Sequence, residues 1–197
     1  MQNPLAYGHK PAIRQIWPAE GHRYLNHLLR LGAHDRYLRF SGNISDPNLQ
    51  RYGTQALSED GSAFVGCFIE GELRAVGELR VAGEFSGRRL AEVAFSVEGP
   101  FQGRGIGSAL MERLLVHGRN RLLHELMVLT LPQNRRMRAL ARRYGFELES
   151  GSEEVEGRRA LPRADVWSWC GEILGESMGL WQSPPELAPT PLLERAA

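Results

Sequence analysis

The sequence has little lysine, few cysteines and no long apolar run. Lys10 is the only lysine among 24 basic residues, so arginine supplies almost every positive charge. The two cysteines, Cys67 and Cys170, lie far apart and form no CxxC pair, which argues against a disulfide framework or a zinc site. No apolar run reaches the ~18 residues that a membrane span requires, and the first residues lack the pattern of a secretory signal. We therefore expect a cytoplasmic protein with no metal site and no membrane contact.

Length and composition indicate one globular domain. The chain has 197 residues, of which 42% are hydrophobic and 24% charged, as is ordinary for a globular protein. Residues 183–197 carry four prolines and predict a flexible tail. We therefore expect a single domain over residues 1–182, followed by this tail.

Hydrophobic periodicity predicts helices first and then a mixed sheet. After an extended lead-in over residues 1–18, helices are predicted over residues 20–31, 34–40 and 48–57. Strands over 63–70 and 73–82 flank a hairpin turn at Gly71-Glu72, and a second turn is predicted over 83–88. The rest alternates, with strands over 90–97, 126–131, 146–149 and 159–169 and helices over 107–118 and 135–144. This order argues for an α/β fold with helices beside a mixed sheet.

A glycine-rich turn between a strand and a helix is the most informative segment. Gly103, Gly105 and Gly107 lie within five positions, and glycine lets backbone amides approach a ligand closely. The start of the following helix offers unsatisfied amides and a dipole that favours an anion such as a pyrophosphate. Taken alone, the segment could also be merely a tight turn. A dinucleotide fingerprint fails because Ser108 stands where its third glycine should be, and a P-loop fails because no lysine is near.

The segment from Gln102 to Gly107, QGRGIG, matches the Q/R-x-x-G-x-G/A signature of the GNAT acetyltransferase superfamily, which this chain resembles. The likeness covers about 60 residues, 90–149, and the HDRYLRFSG segment near the N-terminus is similar to the branch that contains bacterial protein-lysine acetyltransferases. The resemblance implies a mostly antiparallel sheet of six or seven strands, flanked by helices, with the fourth and fifth strands splayed. It also implies acetyl-CoA as cosubstrate and a primary amine as acceptor.

The resemblance assigns cofactor contacts residue by residue. The pantetheine arm would pair with the backbone of Phe95, Ser96 and Val97. The pyrophosphate would lie on the signature loop, formed by Gln102, Gly103, Arg104, Gly105, Ile106, Gly107 and Ser108. Asn134 is placed to cap the next helix, and the matching asparagine in the family also contacts the cofactor. An arginine cluster over residues 119–143 could meet the 3′-phosphate or simply form a solvated helix face.

Glu92 is the candidate catalytic base. Strand alternation places it on one face with Ala94 and Ser96, and transfer to an amine needs a group that accepts a proton. Glu98 is expected to face solvent at the strand end. The family's general-acid tyrosine position is Ala141 here, while Tyr144 is expected to pack in the core. The fifth-strand position that holds a glutamate in some relatives is Leu129.

Other functions remain open from the sequence. The missing tyrosine favours a non-catalytic acyl-CoA sensor as the alternative, with Trp167, Trp169 and Trp181 available for an interface. Nucleic-acid binding is not expected, because the arginines lack regular aromatic interleaving. His34, Arg36 and Arg39 could line the acceptor mouth or lie on the surface, and a homodimer is consistent with the aromatic C-terminal strand. The acceptor could be a protein lysine, a polyamine, an aminoglycoside or an N-terminus.

Overall fold

The computed structural model describes residues 11–58, 60–85 and 87–162. The described part contains five α-helices: α1 (Gly21–Arg30), α2 (Ala33–Arg39), α3 (Asp46–Gln55), α4 (Ile106–Asn120) and α5 (Arg135–Arg143). Its strands are β1 (Ala12–Gln15), β2 (Ala63–Ile69), β3 (Glu72–Phe85), β4 (Arg88–Val97), β5 (Glu125–Thr130), β6 (Glu147–Ser150) and β7 (Val155–Ala160). Short 3-10 turns occupy Pro18–Glu20, Ala56–Ser58 and Gly99–Phe101.

The strands form one sheet of mixed direction. Its order is β1-β2-β3-β4-β5-β7-β6, and every neighbouring pair is antiparallel except β4 and β5. The parallel pairing of β4 with β5 ends at Glu92↔Met127, although β4 continues to Val97 and β5 to Thr130. The two central strands therefore diverge towards their C-terminal ends, which confirms the splayed α/β sheet that the sequence predicts.

Each face of the sheet carries its own hydrophobic core. On one face α4 packs against the sheet through Leu110 and Leu114, together with Leu79 and Val93. On the other face Tyr24 and Leu28 of α1 and Leu49 of α3 pack with Phe64, Phe68 and Val76. The period-two alternation of a strand sends neighbouring residues to opposite cores. The central strands are therefore covered on both faces.

Cys67 lies fully buried in the α4-side core. Burial raises the pKa of its thiol to about 12, so the thiolate that nucleophilic chemistry needs is absent near neutral pH. Cys67 therefore packs as a small apolar side chain in this core, while Cys170 lies outside the described residues.

Three expected boundaries in the N-terminal half were wrong. The lead-in contains strand β1, which pairs with β2 at Ala12↔Phe68. The hairpin turn is Glu70-Gly71, one residue earlier than expected, and both residues have positive φ angles of 54° and 77°, as two-residue hairpins favour. The chain does not turn at Gly83. The register between β3 and β4 shifts there, and Gly83 adopts a φ of 138°. The strand therefore bulges at this point and continues.

The last strand also differs from its expected bounds. It was expected over residues 159–169, whereas β7 runs from Val155 to Ala160 and pairs with β5 along its whole length. A tight turn in which the Gly151 amide donates to the Glu154 carbonyl (2.8 Å) starts the strand earlier. Residues 163–169 of the predicted strand lie outside the described residues. Among the helices of the described part, none is long and apolar enough to cross a membrane.

Candidate active site

The glycine turn joins the end of β4 to the start of α4. Gly103 and Gly105 have φ angles of 73° and 81°, a left-handed backbone that side chains disfavour. Gly105 is the N-cap of α4, and its carbonyl accepts the Ala109 amide at 3.1 Å. The amides of residues 106–108 precede that first helical bond and so have no partner within the helix. The turn therefore presents main-chain donors at the positive end of a helix dipole.

A cleft of about 430 Å³ opens beside this turn. Its walls include all the cofactor contacts expected from the sequence except Arg104, namely Phe95, Ser96, Val97, Gln102, Gly103, Gly105, Ile106, Gly107, Ser108 and Asn134. The Arg104 guanidinium instead lies 5.8 Å from the centre of the Phe101 ring. Helix α2 also lines the cleft, through Asp35, Leu38 and Arg39. Of these three, the sequence pointed only to Arg39.

The backbone of β4 is open along the cleft. Pairing with β5 stops at Glu92, so residues 95–97 have no β5 partner among the described pairs. An extended ligand that carries amide groups can replace the absent strand there, as peptides do at exposed sheet edges. The cleft thus combines an unpaired strand edge with an anion-binding helix start.

Gln102 braces the turn from three sides. Its side-chain amide donates to the Val97 carbonyl at 2.9 Å and to Asp35 Oδ1 at 3.0 Å. Its Oε1 accepts a hydrogen bond from Arg136 of α5. The signature glutamine therefore connects the end of β4 with α2 and α5, and acts on the loop conformation.

Asn134 caps helix α5. Its Oδ1 accepts the Met137 amide at 3.1 Å, which is the N-cap geometry expected from the sequence. Asn134 also lines the cleft. The cap therefore holds its side chain at the wall where the resemblance places a cofactor contact.

A second cavity of about 400 Å³ lies on the same face of β4 as Glu92 and Ala94. Its wall also contains Arg39, Arg80 and Glu154, along with Phe40, Ser41, Tyr52, Val81, Ala82 and Leu129. Burial raises the pKa of the Glu92 carboxyl, while the charges of Arg39 and Arg80 oppose this rise. A raised pKa makes Glu92 a stronger base than an exposed carboxylate.

Arg39 is the residue that the two cavities share. Its Nη2 lies 2.6 Å from Glu78 Oε2 and donates to the Tyr52 hydroxyl at 2.8 Å. Glu78 is fully buried and accepts hydrogen bonds from the hydroxyls of Tyr24 (2.8 Å) and Tyr52 (2.7 Å). Burial disfavours its charge, but Arg39 and the two tyrosines hold the pKa of Glu78 below its usual value. This cluster was not predicted from the sequence, although Glu78 is the one acidic residue of the predicted strand over residues 73–82.

The expectation for Glu98 was wrong, because the residue is buried. Its carboxylate accepts hydrogen bonds from Arg30 Nε (2.9 Å) and Arg74 Nη1 (3.1 Å) and lies 3.1 Å from His27 Nδ1. The other ring nitrogen of His27 lies 2.8 Å from Ser96 Oγ. Burial lowers the pKa of the His27 imidazole, against the pull of Glu98. A neutral ring that donates to Glu98 through Nδ1 therefore accepts from Ser96, which fastens α1 to β4.

The position of the family tyrosine holds no acid. Ala141 is fully buried in the α4-side core. The Tyr144 ring packs against that core, and its hydroxyl donates to Glu112 at 2.7 Å. Tyr144 lines neither cavity, as its expected packing role implies.

The remaining sequence candidates are distributed around the site. Of His34, Arg36 and Arg39, only Arg39 lines a cavity; Arg36 pairs with Asp46 at 2.6 Å. Of the arginine cluster, Arg136 and Arg143 line the cleft beside the glycine turn. No group of His, Cys, Asp and Glu that could hold a metal ion occurs among the described residues.

The comparisons with known proteins give the family of this domain. The model of the acetyltransferase (GNAT) family matches residues 21–146, so the chain belongs to the GNAT acetyltransferase family. It is 31% identical over 140 residues to acetyltransferase Pat of Mycolicibacterium smegmatis. That match covers 68% of this chain and 40% of Pat, so the chain spans less than half the length of this curated relative.

Two solved structures share the fold of this chain. The GNAT domain of Streptomyces lividans PAT has a TM-score of 0.65 and 22% identity over 77% of this chain and 90% of that domain. The phosphinothricin acetyltransferase of Sinorhizobium meliloti, solved in complex with acetyl-CoA, has a TM-score of 0.59 and 17% identity. The match covers 77% of this chain and 88% of the Sinorhizobium meliloti chain. At these identities the likeness shows the shared fold.

Proposed function

We propose that this chain is an N-acetyltransferase that moves an acetyl group from acetyl-CoA directly to a primary amine in a ternary complex. The observation that carries the proposal is the meeting of two cavities on β4. One holds the open strand edge and the glycine turn, the other holds the Glu92 carboxylate, and Arg39 lies between them.

The chain's own groups fit acetyl-CoA along the cleft. The backbone of Phe95, Ser96 and Val97 would pair with the amides of the pantetheine arm. The amides from Gly103 to Ser108 would donate to the pyrophosphate, where the helix dipole adds a favourable field. A Cβ atom built at Gly103 or Gly105 would meet nothing within 4 Å, so the space over the turn is free for a ligand.

In the second cavity Glu92 would act on the acceptor. When bound, acetyl-CoA supplies the activated acetyl group and a thiolate as leaving group. A primary amine carries a proton near neutral pH, since a lysine-type amine has a pKa of about 10.4. Glu92, directly or through one water, takes that proton and leaves the nitrogen lone pair free to attack.

The experiment that tests the proposal is release of free thiol from acetyl-CoA in the presence of an amine panel. The panel contains a lysine peptide, a polyamine, an aminoglycoside and a peptide with a free N-terminus. Amine-dependent thiol release, with acetylated product seen by mass spectrometry, supports the proposal. Saturable binding of acetyl-CoA without turnover on any member contradicts it.

That second outcome would favour a non-catalytic acyl-CoA sensor. The observation that supports a sensor is the buried Ala141 at the family's tyrosine position. The nearby Tyr144 hydroxyl donates to Glu112 instead. A sensor would bind acetyl-CoA with the same cleft and leave the second cavity without a role in transfer.

A further inference from the structure

Arg39 lies between the two cavities, where the acetyl group would pass from the cofactor to the acceptor amine. It is the last residue of α2, and it lines the cofactor cleft with Phe95 and Ser96 and the second cavity with Glu92 and Ala94. The reacting carbonyl must lie between the cofactor and the acceptor amine, which places it beside this guanidinium.

The guanidinium is fixed before any ligand arrives. Its contacts with Glu78 and Tyr52 both use Nη2. Its Nε is buried without a hydrogen-bond partner in the described part of the chain. Burial would lower the pKa of Arg39, but the charge of Glu78 raises it, so the group stays a cation. A charge held in place by its neighbours needs no reorganisation during the reaction.

The field of Arg39 reaches the second cavity. Among the charges around Glu92, Arg39 has the largest effect and lowers the pKa of its carboxyl, and Arg80 acts in the same direction. Glu78 and Glu154 raise that pKa. An arginine of one cavity thus acts on the candidate base of the other.

We propose that the Arg39 guanidinium is a catalytic residue of the acetyl transfer, stabilising the negative charge that develops on the thioester as the amine attacks. Before this step Glu92 takes one proton from the ammonium group; then the C–N bond forms, the C–S bond breaks with its electron pair leaving on the CoA sulfur, and the second proton of the nitrogen passes to that thiolate. Arg39 transfers no proton. Arg39 supplies positive charge in a site that lacks the family's general-acid tyrosine, since Ala141 occupies that position. This role rests on the proposed function.

The test needs a variant that leaves no unpaired buried charge. Removing Arg39 alone strands the Glu78 carboxylate, which destabilises strongly, so the main variant is Arg39→Gln combined with Glu78→Gln. Arg36→Gln is the matched control, because Arg36 lies on the same helix, pairs with Asp46 and lines neither cavity. Thermal unfolding and calorimetry with CoA establish folding and cofactor affinity for each protein before turnover is measured.

In the double variant we expect kcat to fall about 100-fold, the typical cost of removing one preorganised charge-stabilising donor. Its affinity for CoA should match that of the unmutated chain. The acid limb of kcat/KM should also move to higher pH, because Arg39 has a larger effect on Glu92 than Glu78 has. Arg36→Gln should change neither quantity. Loss of the Arg39 charge shifts this profile whatever its role, so the fall in kcat above the acid limb is the result that distinguishes a catalytic role from a structural one.

A folded double variant that binds CoA and keeps the kcat of the unmutated chain overturns the role of Arg39. Should that variant not fold, Arg39→Met combined with Glu78→Gln decides, because it too removes the positive charge and leaves no unpaired buried carboxylate. A fall in kcat of about 100-fold with unchanged CoA affinity then supports the role, and full kcat overturns it. No turnover by the unmutated chain on any amine overturns the proposed function and this role together. Turnover with unchanged variants overturns this role alone.

Discussion

At the residue scale, the candidate base owes its chemistry to where β4 places it. Glu92 is the last residue of β4 that pairs with β5, so its carboxyl lies at the point where the sheet opens. Partial burial raises its pKa while two arginines oppose that effect. The same side chain on an exposed strand would be a weaker base.

Replacing Glu92 by Gln should lower kcat/KM by about 10² to 10⁴, the usual contribution of a positioned base. In the unmutated chain kcat/KM should rise with pH through the raised pKa of Glu92, because only the ionised carboxylate accepts the proton. The variant should lose this limb. Thiol-release rates measured against pH test the prediction, and an unchanged profile in Glu92→Gln would remove Glu92 from the mechanism.

Two glycines of the signature loop should respond differently to alanine. Gly105 has a φ of 81°, so Gly105→Ala should lower the free energy of unfolding by about 1–2 kcal/mol through backbone strain. Gly107 lies in the first turn of α4 and has no positive φ, and its added Cβ would meet Leu140 at an ordinary 3.6 Å. Gly107→Ala should not lower stability, because alanine favours a helix over glycine by ~1 kcal/mol. Urea unfolding of the two variants tests this contrast, and an equal loss in both would contradict it.

At the element scale, His27 connects helix α1 to the C-terminal end of strand β4. It bridges Ser96 and Glu98 from α1, and Arg30 and Glu78 are the other charged groups that act on it. Because the folded pKa of His27 lies below 6.5, the unfolded chain binds a proton that the folded chain excludes. The attachment of α1 therefore depends on pH.

The stability that His27 contributes should be complete above pH 6.5 and decline as the pH falls below that value. The lowered pKa of Glu98 has the same sign, but its contribution is lost only below 4.5. Denaturant unfolding between pH 7.5 and about 5 separates the two groups, because carboxylates titrate lower. His27→Gln, which keeps hydrogen-bonding groups, should remove most of the slope in this window. An identical slope in the variant would assign the pH dependence to other groups.

At the scale of the whole molecule, the residues that line one cavity or the other come from α2, from the segments that follow α1 and α2, from the turn before β7 and from the three consecutive strands β3, β4 and β5. They also come from the loops after β4 and β5 and from helices α3, α4 and α5, all within residues 31–154. The site therefore depends on strands β3, β4 and β5 and on helices from both faces of the sheet. We propose that residues 1–182 form the domain and that residues 183–197 are a tail.

A chain that ends at residue 182 should therefore bind CoA as tightly as the full chain. At a ligand concentration of 100 times Kd, binding should stabilise either protein by about 2.7 kcal/mol. Calorimetry and thermal unfolding with and without CoA measure both quantities. Loss of binding on truncation would place the last 15 residues, 183–197, in the functional unit.

The sequence by itself determined the elements whose signals are local. The glycine turn, the Asn134 cap and the amphipathic pattern of α4 each depend on residues within one or two helical turns, and they sufficed to predict the family. Strand alternation also placed Glu92, Ala94 and Ser96 on one face, where the structure has them. Short-range geometry and hydrophobic period are properties that a linear pattern carries.

Only the tertiary structure decided which distant charges meet. Glu98 was expected in solvent and is buried, because His27 and Arg30, about 70 positions earlier, fold over it. The ion pair between Arg39 of α2 and Glu78 of β3 likewise connects residues that are far apart in the sequence. The strength of such contacts depends on distance and burial in three dimensions, and the register of the sheet and the docking of α1 and α2 fix both.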